Sequence, residues 1–113
     1  LCKYLNLKYY QVDYEKRKIL HLAAVFSNNF SNHLYSIAYK ITKNNNIDFD
    51  ILKPLIQETA NKILLLEPAK AQTGPARRDD MVTINNHLKL LKNDDYRNIY
   101  KTFTQLIKDE NKL

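Results

Sequence analysis

Glycine is almost missing from this chain: there is one in 113 residues, alongside three prolines, one cysteine and no tryptophan. Antiparallel sheets need tight turns, and tight turns draw repeatedly on glycine, proline and asparagine. With so few turn formers, a β fold is disfavoured and an all-α domain is expected. No apolar run approaches the roughly 18 residues of a membrane span, and no signal-peptide pattern is visible. The lone Cys2 excludes an intramolecular disulfide and a cysteine-built metal site. It suits a reducing compartment, so a cytoplasmic location is expected. Three histidines without a cysteine pattern fall short of a closed zinc set. Neither a serine–histidine–aspartate order nor a nucleophile motif occurs.

What the chain does carry is positive charge, +6 with a pI near 9.4. The lysines are spread along the sequence among Asp and Glu, and only Arg77-Arg78 forms a tight arginine pair. A nucleic-acid surface would cluster its charge, so a solvated surface is the expected reading. At this length one domain can form and bury roughly 65% of its unfolded surface. The first residue is Leu1 and not methionine, so the chain is expected to be a piece of a longer polypeptide.

Residues 1–12, LCKYLNLKYYQV, read as the end of one element followed by a strand or an extended connector. Asp13 then offers a helix N-cap with Glu15 in the first turn, and nothing breaks a helix before NNN at 44–46. Such a helix would run about 45 Å and serve as the spine of the domain. Asp48 or Asp50 is the expected cap of a second helix reaching about Leu66, with Pro54 in or near its first turn. Its apolar stripe is Ile51, Leu55, Ile56, Ala60, Ile63 and Leu64. The segment EPAKAQTGPARRDD, 67–80, is the one long irregular stretch. Asp79 or Asp80 caps a third helix bearing Ile84, His87, Leu88 and Leu91. Asn93 caps a fourth, whose expected buried face is Tyr96, Ile99, Tyr100, Phe103 and Ile107.

Read as one continuous α-helix, the long element shows three faces. Ala24, Ser27, Ser31 and Ala38 form a stripe of small residues suited to close helix approach. Phe26, Phe30, Leu34, Ile37 and Ile41 form an apolar face. His21, Val25, Asn28, Asn32, Tyr35 and Tyr39 form a polar stripe, which fits a satisfied hydrogen-bond network, a helix interface or a ligand cleft. In AQTGPARRDD, 71–80, Gly74 frees the backbone, and the arginines can grip a carboxylate or phosphate or pair with Asp79 and Asp80.

The blocks HLAAVFSNNFSNHL, DFDILKPLIQET, AQTGPARRDD and TINNHLKLL, in that order, resemble the C-terminal helical domain of a bacterial family. That family joins a Rossmann-like nucleotide-binding domain to a helical domain known as domain of unknown function 2520. The resemblance spans residues 14–105 or so. It implies a helical domain similar to the C-terminal half of 6-phosphogluconate dehydrogenase and its relatives, among them hydroxyacid dehydrogenases, pyrroline-carboxylate reductase and deazaflavin-dependent NADP reductases. In such proteins the Rossmann domain holds NADP, while the helical domain builds a homodimer and closes one wall of the substrate cleft. The GxGxxG loop is absent here, and one glycine could not make it. The resemblance therefore places the NADP domain upstream, with residues 1–12 as its end and connector and 13–113 as the helical domain. On its own this piece is not expected to be active.

Hydroxyacid dehydrogenases carry a lysine and an asparagine four residues apart on the long helix. One register puts Asn29 at the asparagine and Val25 at the lysine; the other puts Asn32 and Asn28 there. Neither supplies a lysine, and asparagine orients a substrate oxygen without serving as a general base. The candidate substrate-binding residues are His21, Asn28, Asn29 and Asn32 on the long helix, with Thr73 and Arg78 in the loop for a small anionic group. The catalytic residue is left open. Two functions compete: a dimerisation and substrate-cleft domain of an NADP-dependent oxidoreductase, or the helical part of a non-catalytic nucleotide-binding sensor or scaffold. Nucleic acid and membrane are not expected partners.

Overall fold

The computed structural model describes residues 13–111. The strand or connector expected within residues 1–12 lies outside them. Every regular element among the described residues is helical, and none is long and apolar enough to cross a membrane. The chain divides into two compact units, Leu1–Asp48 and Phe49–Leu113.

The described part of the first unit is a long helical run. Asp13 starts it as expected: its carboxylate accepts the Lys16 N–H at 2.9 Å, satisfying one of the donors a helix start leaves open. Helix α1 (Tyr14–Ala24) passes into a π-helical segment, Val25–Phe30, and then into α2 (Ser31–Asn44). The backbone keeps right-handed helical angles through both junctions, at Ala24, Val25 and Ser31. The expectation of one uninterrupted α-helix is therefore corrected at its middle. Asparagines end the run as expected. The Asn45 amide donates to the Ile41 carbonyl, and Asn46 adopts a left-handed φ of 58° that asparagine tolerates. Thr42 is buried, and its hydroxyl reaches the carbonyls of Tyr39 and Ala38 at 2.9 and 3.1 Å.

The second unit opens with a 3₁₀ turn, Phe49–Leu52, followed by α3 (Lys53–Leu65). The cap of α3 is Leu52, with no side-chain cap bond, so neither Asp48 nor Asp50 plays that role. The intervening 3₁₀ turn moves the helix start beyond their reach, and the Asp50 carboxylate instead meets Lys53 Nζ at 2.7 Å. Pro54 sits in the first turn as expected, where its missing N–H costs nothing. The irregular stretch contains a single helical turn, α4 (Pro68–Ala71), before α5 (Met81–Leu90) and α6 (Asp94–Asn111). Asp80, rather than Asp79, caps α5, and Asn93 caps α6 by accepting the Tyr96 N–H at 3.0 Å.

Helices α5 and α6 run antiparallel and are tied together along their length. At one end the Arg97 guanidinium donates to the carbonyls of Leu88 and Leu91, occupying acceptors that the end of α5 leaves open. Midway, His87 Nδ1 and the Tyr100 hydroxyl lie 2.7 Å apart with their rings edge-to-face. At the far end Lys108 Nζ reaches the Asp79 carboxylate at 3.2 Å, and the Asn111 amide donates to the Arg77 carbonyl at 3.2 Å.

Apolar burial is sparse. Among the described residues only Ala76 and Ile84 are buried hydrophobics, at 6% and 3% exposure. Tyr96, Ile99, Tyr100 and Ile107 of the expected α6 face are half-buried, whereas Phe103 is exposed. On α3 only Ile56 of the expected stripe is half-buried; Ile51, Leu55, Ala60, Ile63 and Leu64 are exposed. On the long helix Leu34 and Ile37 are half-buried, while Phe26, Phe30 and Ile41 are exposed. Periodicity identified which faces are apolar, and the chain leaves much of them uncovered.

Candidate functional site

The π segment VFSNNF coincides with the asparagine doublet. A π turn takes one residue more than an α turn, and π turns recur at functional sites. One extra residue rotates everything beyond it by about 100°. The polar stripe laid out at uniform α spacing is therefore broken at this point. The line running from His21 passes near Asn29 and on toward His33, leaving Asn28, Asn32, Tyr35 and Tyr39 on other lines. All four candidate residues of this unit, His21, Asn28, Asn29 and Asn32, are exposed. Their amides therefore face outward rather than into a core.

The two neighbouring asparagines differ in freedom. The Ser27 hydroxyl donates to Asn28 Oδ1 and also lies 3.4 Å from the Ala24 carbonyl. Asn28 Oδ1 thus has one acceptor position in use, whereas no bond of the Asn29 side chain occurs among the described residues. Asn29, like Asn32, keeps its whole amide available as donor and acceptor.

In the second unit the loop residues separate. Gly74 has φ of 100°, in the left-handed region where a side chain is strained, and a Cβ there would meet nothing within 4 Å. Backbone conformation, rather than space, is what this position asks of glycine. Thr73 lines a cavity of about 160 Å³ with Thr59, Lys62, Ile63 and Gln72 among others. Arg78 does not line it; its guanidinium lies 3.9 Å from Asp80, at a largely exposed position. Arg77 lines a second cavity, with Gln72 and Glu110. Nothing in the RR pair distinguishes these roles; the turn geometry after Pro75 does.

Asp80 joins this loop to α5. Its two oxygens accept the Thr83 hydroxyl at 2.7 Å and the Thr83 N–H at 3.1 Å. The Thr83 hydroxyl, then the Thr83 N–H, hold the Asp80 carboxyl below the usual aspartate range. Because the folded pKa is the lower one, this stabilisation is full above the unfolded value of about 3.9 and is lost as pH falls through the folded value. Asp80→Ala should accordingly lower Tm at neutral pH, and the gap from the parent chain should shrink as pH falls below the unfolded value. A gap constant across a series of thermal melts would contradict this. Nearby, burial pushes the Tyr100 phenol up, keeping it neutral against His87.

Among the described residues no glycine-rich loop cradles a dinucleotide. The chain's single glycine lies in an interhelical turn rather than a strand-to-helix loop, so no nucleotide phosphate site is derived from these residues.

Comparison with known proteins is consistent over most of the chain. No curated protein matches it. A solved structure from Bacteroides fragilis, that of a "putative NADP oxidoreductase", matches at a TM-score of 0.83 and 47% identity, covering 87% of this chain. The chain spans only 38% of that protein's length. The family model for domain of unknown function 2520 matches residues 1–107. The chain is therefore a member of the domain of unknown function 2520 family, and its described residues are all-α.

Proposed function

We propose that this chain is the dimerisation and substrate-cleft domain of an NADP-dependent oxidoreductase. The carrying observation is 47% identity over 87% of the chain to a protein bearing an NADP oxidoreductase name. In this reading NADP is held by a Rossmann-like domain of the same cytoplasmic polypeptide, and residues 1–12 are the end of that domain and the connector. Hydride transfer belongs to the cofactor, and this domain supplies position and electrostatics. Asn29, with His21, Asn28 and Asn32 around the π segment, orients a substrate oxygen. Thr73 offers a hydroxyl to a small anionic group, whereas Arg78 lies outside the cavity that Thr73 lines and would act on an anion only from the exposed side of the turn.

The dimer rests on exposed apolar surface. Twenty large hydrophobic side chains are exposed among the described residues, including Phe26 at 63%, Leu65 at 84% and Leu106 at 58%. So much apolar surface marks an interaction face, and a second copy supplies a matching one.

A second reading is favoured by one observation: neither register of the long helix supplies the lysine that the hydroxyacid dehydrogenases of the resemblance carry there. The polypeptide would then bind nucleotide as a sensor or scaffold. The full-length protein, assayed for NADPH binding and oxidation against keto acids and imines, should turn over at least one of them. Tight NADPH binding without turnover would transfer the assignment to the sensor. Light scattering should give a dimer, and a monomer at high concentration would remove that part.

A further inference from the structure

The cavity beside the end of α6 carries chemistry that the oxidoreductase reading does not use. It has a volume of about 140 Å³, and its lining includes Pro68, Gln72, Arg77, Ile107, Glu110 and Asn111. The walls come from α4, the turn that follows it and the last turns of α6. The Asn111 amide pins the Arg77 carbonyl at 3.2 Å, and Lys108 pins Asp79 two residues further on. The cavity thus joins segments that are tied to each other independently of any ligand.

Two opposite charges line this one concavity without meeting. Neither the Arg77 guanidinium nor the Glu110 carboxylate has an ion pair or hydrogen bond among the described residues. An arginine fork matches a carboxylate in its own plane, and a glutamate accepts from an ammonium. The Gln72 amide N–H is occupied by the Thr73 carbonyl at 3.1 Å, which leaves the Gln72 carbonyl oxygen as a further acceptor. Pro68 and Ile107 supply apolar wall.

We propose that this cavity binds a small zwitterion of the α-amino carboxylate class. The carboxylate sits on Arg77, the ammonium on Glu110 and the Gln72 oxygen, and a short apolar side chain lies against Ile107. The volume is that of about five waters at about 30 Å³ each, which matches the main-chain atoms of an amino acid plus little more. A lone carboxylate would leave Glu110 facing it unpaired, and a lone amine would leave Arg77 so. Each single-charge ligand is therefore disfavoured by the charge it leaves unmet.

Calorimetric or saturation-transfer titration of the chain with alanine, propionate and ethylamine tests this. Alanine should bind about tenfold more tightly than either single-charge analogue. Arg77→Gln and Glu110→Gln should each weaken alanine binding about tenfold, with circular dichroism unchanged because both side chains are exposed. Propionate binding as well as alanine would overturn the proposal in favour of a simple anion site. Absence of saturable alanine binding, or binding indifferent to both substitutions, would overturn it altogether. No NADPH or turnover enters these measurements, so their outcome is independent of the oxidoreductase reading.

Discussion

Ile84→Ala should cost about 2–4 kcal/mol of stability, among the largest losses available to a single substitution here. Ile84 is 3% exposed, and the only other buried hydrophobic among the described residues is Ala76. It sits one turn inside α5, where its N–H bonds to the Asp80 carbonyl at 3.1 Å, so helix start and core contact coincide. Truncation removes apolar contact and leaves a void that fixed neighbours only partly close. Against a typical total of about 5–15 kcal/mol, the loss is a large fraction. In urea the midpoint should fall by roughly 1–2 M with little change in slope, taking a slope of about 1–3 kcal/mol/M. A fall below about 0.5 M would mean that Ile84 is not the keystone its burial suggests. Leu65→Ala is the informative contrast, because Leu65 is 84% exposed. Its effect should be near zero for an isolated chain and should depend on protein concentration if a second copy covers it.

In the full-length protein, Asn29→Ala should lower kcat/KM for the responsive substrate by about 100-fold, equivalent to about 2.7 kcal/mol of transition-state stabilisation. The side chain is exposed and makes no bond of its own among the described residues. Its removal should therefore shift stability by less than about 0.5 kcal/mol. Asn28→Ala should cost less activity, because the Ser27 hydroxyl already ties its oxygen to the helix. Parallel kinetics and thermal melts separate the outcomes. Unchanged kinetics in the Asn29 variant would remove the asparagines from the cleft. A large stability loss would return them to a packing role.

Local chemistry was readable from the sequence wherever a side chain acts on its own neighbourhood. Asp13 and Asn93 were placed as caps from position alone, since a cap needs only a short acceptor and an open N–H three residues on. The choice between Asp79 and Asp80 was not, because Asp79 takes a left-handed φ of 55° that only the turn from Pro75 dictates. The start of α3 failed for a related reason: a 3₁₀ turn, invisible in composition, stood between the aspartates and the helix. The α segments of the long helix were evident from composition, but VFSNNF holds no residue that announces a π turn. Consequently the polar stripe drawn across it was misaligned. The apolar stripes identified faces correctly yet could not say what covers them, which is a property of partners rather than of periodicity. Between Arg77 and Arg78 the sequence offered no distinction at all.

The π segment has a consequence for the genetics of this helix. It behaves as one inserted residue, so deleting any single residue within 25–30 would restore an ordinary α-helix. Everything from Ser31 to Asn44 would then keep its present phase, because the π turn already absorbs the extra residue. The same deletion in the flanking α segments would instead turn every face beyond it by about 100° and draw it back by about 1.5 Å. The π turn is thus a place where this run accepts a change of length without presenting different faces to its neighbours.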